Sequence, residues 1–185
     1  MTDEVIEELR KEMERTVTAL RRDLTRTRTG RASTALLEGI SVDYYGTKTP
    51  LNQVAGVTAP EPRLLVIQPY DKSVLGTIEK TILQSDLGLV PVNDGKILRV
   101  PIPELTAERR KDLVKHVRKV AEDYRVSMRN HRRDSLDLLK NLEKDKEITQ
   151  DDLRHGHEKI EEVTKHYIER VDQILKAKED EIMEV

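Results

Sequence analysis

Cysteine, phenylalanine and tryptophan are all absent from this chain of 185 residues. Without cysteine there is no disulfide, no thiol nucleophile and no cysteine-ligated zinc, and the composition fits a reducing compartment. Five tyrosines are the whole aromatic complement, which disfavours a large aromatic-lined ligand cavity. The opening Met1 to Leu9 is acidic, with neither the basic start and apolar core of a signal peptide nor the arginine-rich character of a transit sequence. No apolar run approaches the roughly 18 residues needed to cross a bilayer. These absences lead to the expectation of a soluble cytoplasmic scaffold, without cofactor or resident metal, rather than a pocket enzyme.

What is present is charge: 37% of residues are Asp, Glu, Lys or Arg, against 36% hydrophobic. An average globular domain has roughly 25% charged residues, so apolar side chains must be used in narrow seams. Ile6, Leu9, Met13, Val17, Leu20 and Leu24 recur at helical spacing and predict a first helix, with Gly30 as its stop. Leu113, Val117, Val120, Tyr124, Met128, His131, Ser135, Leu138 and Leu142 form a second seam, for which Thr106 is a plausible N-cap. Leu153, Ile160, Val163, Tyr167, Val171, Ile174 and Ile182 form a third, entered through a capping box of Thr149 and Asp152. Helices of about 27, 40 and 35 residues, roughly 40 to 60 Å long, would bury these seams only against one another, as an elongated three-helix bundle.

Between Gly30 and Glu104 the pattern changes, because all seven prolines and seven of the eight glycines fall there. Strands are predicted over 40–45, 54–58 and 64–68, with a hairpin of 90–93 and 96–100 around Asn93-Asp94-Gly95 and an amphipathic helix over 73–85 that carries Val74, Leu75, Ile78, Ile82 and Leu83. The fold class is therefore α+β: a bundle of residues 1–29 and 105–185, with a small β/α/β domain of 30–104 inserted between its first two helices. Two short crossings would act as a hinge, Thr29, Gly30 and Arg31 on one side and Pro101, Ile102, Pro103 and Glu104 on the other, with freedom from glycine and stiffness from proline.

The clearest functional signal lies between Leu105 and Arg133, where ten Lys/Arg stand against four acids in a chain whose net charge is −2. Lys111, Lys115, Arg118, Arg125, Arg129 and Arg132 share one helical face, a cationic rod suited to a phosphate backbone. A solvated face with intrahelical ion pairs would look similar, but only Glu122 interrupts the stripe, and the compensating acids fall after Arg133. Arginine dominates the far end at Arg125, Arg129, Arg132 and Arg133; its planar fork holds two phosphate oxygens or stacks on an unpaired base, which suits folded RNA. The inserted domain, with seven bases and eight acids, has no comparable affinity for RNA and is better suited to protein contact.

Two other patterns in the chain fit less well. His157-Glu158 lacks the second histidine of a metalloprotease motif, and His155, Glu158 and Glu162 on a charge-dense helix read as solvent-facing. A dimeric coiled coil would also use long charged helices, but it needs no inserted β domain and would compete for the same seams. His131, on the second seam, reads as a neutral core histidine with its ring nitrogens satisfied.

The strings Arg28-Thr29-Gly30-Arg31-Ala32-Ser33, Tyr44-Tyr45-Gly46 with Thr49-Pro50-Leu51, Ser85-Asp86-Leu87-Gly88-Leu89, Leu105-Thr106-Ala107-Glu108-Arg109-Arg110-Lys111-Asp112-Leu113 and Arg125-Val126-Ser127-Met128-Arg129-Asn130-His131-Arg132-Arg133-Asp134 occur in this order. End to end, the chain resembles the bacterial ribosome recycling factor family. The resemblance implies an L-shaped, tRNA-like, monomeric translation factor that is not an enzyme. It further implies binding of the post-termination ribosome through large-subunit rRNA, and splitting of that ribosome with elongation factor G, which hydrolyses the GTP. It carries the rRNA contact to Arg132, Arg129, Arg125, Arg133, Arg110, Arg28 and Arg31, to which the stripe adds Arg118, Lys111 and Lys115. His131, Glu161, Lys165 and Val90 depart from the pattern: an apolar residue is usual at the first, an amide and an acid at the next two, and Asn at the last.

Overall fold

The computed structural model describes residues 1–27 and 29–184. In chain order the elements are α1 (Thr2–Thr25), β1 (Ser41–Tyr44), β2 (Thr47–Pro50), α2 (Leu51–Val54), β3 (Ala55–Glu61), β4 (Leu64–Pro69), α3 (Leu75–Gln84), β5 (Val92–Asn93), β6 (Leu98–Pro101), α4 (Ala107–Lys144) and α5 (Gln150–Met183), with single 3₁₀ turns at Thr34–Leu37 and Lys72–Val74. The chain forms two compact units, Met1–Thr27 with Ala107–Val185, and Arg28–Thr106.

In the helical unit, α1, α4 and α5 each bury one seam against the other two. Met13, Leu20, Met128, Leu139, Ile160 and Ile182 are fully enclosed, each contributing roughly 1.5–3 kcal/mol of burial. α1 ends at Thr25, short of the expected stop at Gly30, because its last core residue is Leu24 and a tighter turn follows, in which Thr27 N–H bonds the Leu24 carbonyl. The Thr25 hydroxyl donates to the Arg21 carbonyl at 2.7 Å, which draws the side chain back onto the helix end. Gly30 does adopt φ +78°, but beyond the helix, where a Cβ would stand 3.1 Å from Leu105 Cγ. α4 closes on Lys146 at φ +62°, with Glu147 N–H on the Leu142 carbonyl, a Schellman arrangement without glycine. The expected capping box opens α5: Asp152 N–H donates to Thr149 Oγ1 at 3.1 Å and Thr149 N–H to Asp152 Oδ2 at 2.9 Å.

The second seam differs from its expected register. Leu138, assigned to it, is 48% exposed, whereas its neighbour Leu139 is fully buried, and Ala121 rather than Val120 is enclosed. The reason is Gly156, the one glycine outside the inserted unit. A Cβ there would lie 2.6 Å from Leu139 Cδ1 and 2.9 Å from Thr2 Cγ2, so α5 leaves a notch that Leu139 fills. On α5, Leu175 takes the buried place and Ile174 lies half-buried at the edge.

Polar clamps tie the rims of the bundle. Arg170 donates from Nη1 and Nη2 to Glu14 at 2.5 and 3.0 Å and lies over the Tyr167 ring at 5.1 Å. The hydrogen bond from Arg170 holds the Glu14 carboxyl below its ordinary 4.5. Tyr124 donates its hydroxyl to Asp23; burial, followed by that carboxylate, pushes the phenol up to about 12.

In the second unit β3, β4, β6 and β5 form an antiparallel sheet in that order. Its core gathers Leu65, Ile67, Leu98 and Val100 from the sheet, Ile78 and Ile82 from α3, and Val42 from β1. Leu83, expected on the buried face of α3, is 51% exposed, since the face narrows to Leu75, Ile78 and Ile82. The β5–β6 hairpin is shorter than expected: Asn93 pairs with Leu98, and the Asp94 carboxylate accepts from Lys96 and Ile97 N–H to close a four-residue loop. The β1–β2 hairpin was not expected, because β2 is polar and largely exposed. Its signal was Tyr45-Gly46, a two-residue turn with φ +50° and +83°.

Gly156→Val is expected to lower stability by about 1–3 kcal/mol despite the better helix propensity of valine, because the notch has no room for it; urea melts give the value. Because the Glu14 carboxyl is held low in the folded state, its contribution is complete above about pH 4.5 and is lost as pH falls through the lower folded value. Glu14→Gln should therefore flatten the acid limb of stability against pH, read as urea midpoints from about pH 6 to pH 3.

Candidate nucleic-acid interface

α4 carries Arg110, Lys111, Lys115, Arg118, Arg125, Arg129, Arg132 and Arg133 in one unbroken helix. At 1.5 Å per residue, residues seven apart lie about 10 Å apart along it. Lys111, Lys115 and Arg133 are exposed and make no ion pair among the described residues. Arg31 belongs to the second unit, so the helix does not bring it to this row; Arg28 lies outside the described residues.

The row is not without partners, contrary to the expectation that its acids fall elsewhere. α5 runs back along α4 and presents them. Arg118 Nε donates to Glu179 Oε1 at 2.6 Å, and Arg125 donates through Nε and Nη2 to Asp172 Oδ1 at 2.9 and 2.5 Å. Arg132 Nη1 reaches Glu161 only at 3.6 Å, and its Nε is buried with no acceptor. Within α4, Glu122 accepts from Arg129 at 2.7 Å and from Arg125 at 3.2 Å. The acids after Arg133 are distant in sequence and adjacent in space: the step of seven from Arg118 to Arg125 along α4 meets the step of seven back from Glu179 to Asp172 along α5.

The charges respond accordingly. The hydrogen bond that Arg118 donates to Glu179 raises its guanidinium above the ordinary range. Burial pulls Arg125 down, but Asp172 and then Glu122 outweigh it, so it too is raised. Arg129 first, then Arg125, hold the Glu122 carboxyl below its ordinary range. Arg125 is consequently a half-buried strut as well as a cation, with a side chain 21% exposed, whereas Arg118, at 63%, projects from its pair.

His131 is half-buried rather than sealed in the core. Its Nε2 lies 3.2 Å from Thr16 Oγ1, and the Thr16 hydroxyl already donates to the Glu12 carbonyl at 2.8 Å. The ring nitrogen therefore supplies the hydrogen, and this bond from α4 to α1 braces the backbone beside Arg132. His155 and Glu158 form an exposed pair 3.9 Å apart.

The other segments singled out in the sequence are anchored in the second unit. Pro101 pairs with Leu64, Ile102 is buried and donates its N–H to the Arg63 carbonyl at 2.8 Å, and Glu104 pairs with the Arg63 guanidinium. Thr29 is buried, and Gly30 meets Leu105.

Residues 20–183 match the family model described as ribosome recycling factor. The chain is 51% identical over 185 residues to the ribosome-recycling factor of Bacillus pumilus, covering 100% of both, and 52% identical over 185 residues to that of Syntrophomonas wolfei, again covering 100% of both. Among solved structures, a solution structure of the ribosome recycling factor superposes with a TM-score of 0.80 at 36% identity, covering 100% of this chain and 98% of that one. A second, from models for the T. thermophilus ribosome recycling factor and the E. coli elongation factor G bound to the E. coli post-termination complex, has a TM-score of 0.68 at 46% identity and covers 99% of each chain.

Arg125→Ala is expected to lower the urea midpoint measurably, because Asp172 and Glu122 lose their shared partner. Arg133→Ala should stay within about 0.5 kcal/mol of the parent, as unpartnered surface changes do.

Proposed function

The chain belongs to the ribosome recycling factor family, and we propose that it binds the post-termination ribosome through the cationic face of α4 and, with elongation factor G, separates the subunits. The observation that carries this reading is the row from Arg110 to Arg133 on one helix, where the exposed Lys111, Lys115 and Arg133 flank the guanidinium groups of Arg118, Arg125 and Arg129 held by carboxylates. A rod of this kind meets phosphates along a backbone and unpaired bases in loops; it does not enter the deep, narrow major groove of an RNA duplex. Large-subunit rRNA is the polyanion, with Arg132 and Arg129 as first contacts and Arg110, Lys111, Lys115, Arg118, Arg125 and Arg133 extending the grip. Arg28 and Arg31 would add contacts from the segment that leaves the bundle.

The chain itself carries out no catalytic step. It has no glycine-rich phosphate cradle, so the GTP belongs to elongation factor G. It works in the cytoplasm as a monomer, a state supported by the bundle, in which one chain supplies all three seams and none is left to form a coiled coil. The near-neutral second unit faces the protein partner. Its reorientation turns at the crossings that flank Gly30 and Leu105, because Pro101, Ile102 and Glu104 are fastened to β4 and Arg63 and would move with it.

Stalled post-termination ribosomes mixed with the protein, elongation factor G and GTP should lose light scattering as the subunits part. Arg132→Ala should keep its helix content, weaken ribosome binding and reduce the slope of log affinity against log salt by somewhat under one unit. Equal binding at several salt concentrations would remove Arg132 from the interface.

A further inference from the structure

The pairs between α4 and α5 form a ladder. Arg118 meets Glu179 at 2.6 Å, and Arg125 meets Asp172 at 2.5 Å. Seven residues further along α4 and seven further back along α5, the next rung would join Arg132 to residue 165, which is lysine. The ladder therefore stops. Arg132 is left with Glu161 at 3.6 Å and an Nε without an acceptor. On the outer side Glu122 holds both Arg129 and Arg125.

We propose that Glu122, Asp172 and Glu179 set the selectivity of the RNA face, withholding Arg118, Arg125 and Arg129 from generic polyanions while Arg132, held only by Glu161 at 3.6 Å, stands ready to bind. The proposal rests on the reading of α4 as the rRNA-binding surface. A phosphate that approaches a paired guanidinium must displace a carboxylate or share the cation with it. Either way a negative charge remains a few ångströms off, well inside the roughly 8–10 Å over which physiological salt screens. A polyanion touching only one or two rungs meets that repulsion with little return. A folded surface that engages Lys111, Lys115, Arg132 and Arg133 together recovers the loss, and the guanidinium groups it meets are already oriented. The acids act as positioning residues and as a repulsive element against wrong partners.

The test compares Glu122→Gln/Asp172→Asn/Glu179→Gln with a control of equal charge change in exposed acids off the ladder, Asp151→Asn/Glu162→Gln/Glu169→Gln. Binding to large ribosomal subunits and to an unrelated duplex RNA is measured across a series of salt concentrations. The ladder triple should tighten on the unrelated duplex about tenfold and steepen its salt slope by about one to two units more than the control, while affinity for large subunits changes less than about threefold. Glu122→Gln/Glu179→Gln, which leaves the half-buried Arg125 with Asp172, should move the same way by a smaller factor and guards against a folding defect. Lys165→Glu should close the third rung and weaken binding to the unrelated duplex. Equal shifts in the ladder and control triples would overturn the proposal, leaving net charge as the whole effect. A parent protein that binds large subunits no better than unrelated RNA would instead sink the rRNA reading itself, and the selectivity assigned to the ladder with it.

Discussion

The antiparallel fit of α4 to α5 is the constraint on which the helical unit depends. Its register is set where Leu139 enters the notch at Gly156, below the turn closed by Lys146 and the Thr149 capping box. From that point helical geometry leaves little choice: Met128, Val117 and Leu113 turn inward on α4 and Ile160, Val171 and Leu175 on α5. The same register carries Asp172 and Glu179 beside Arg125 and Arg118. Packing in the core and pairing on the rim are thus two results of one fit. A slip of a single residue would disturb both.

This coupling changes how the cationic face should be understood. Isolated surface ion pairs contribute little, typically about 0–1 kcal/mol, so the ladder is a weak source of stability. Its consequence is geometric. Guanidinium groups on long side chains otherwise sample many rotamers, and ordering them on a ligand costs about 0.5–1.5 kcal/mol each. Arg125, 21% exposed and bonded to both Asp172 and Glu122, is ordered already. Lys111, Lys115 and Arg133 are exposed and carry no ion pair among the described residues. The face combines fixed and free cations, which separates orientation from long-range attraction.

The β unit has a different economy of order. With a small sheet and one short helix over it, it relies on turns and on local backbone hydrogen bonds accepted by the side chains of Asp71, Asn93 and Asp94. Its C-terminal end is fastened by the Arg63 contacts to Ile102 and Glu104.

Much of this was legible in the residues themselves. The three apolar seams, the capping box at Thr149, the concentration of proline and glycine in the inserted segment, and the cationic row on α4 all follow from periodicity and composition, because helix geometry relates neighbours three and four apart regardless of the rest of the fold. The motif strings already pointed to the family. What sequence order could not show was contact between residues far apart along it. Leu138 and Leu139 are equally apolar, and only the hollow at Gly156 decides between them. The arginines looked unpaired because their acids lie about thirty to sixty residues downstream, and the folding back of α5 brings them together. β2 escaped notice because its pairing is set by a turn rather than by an apolar pattern. Local periodicity determined the elements; long-range register, which depends on the volume and charge of facing side chains, determined which of them are buried, paired or free.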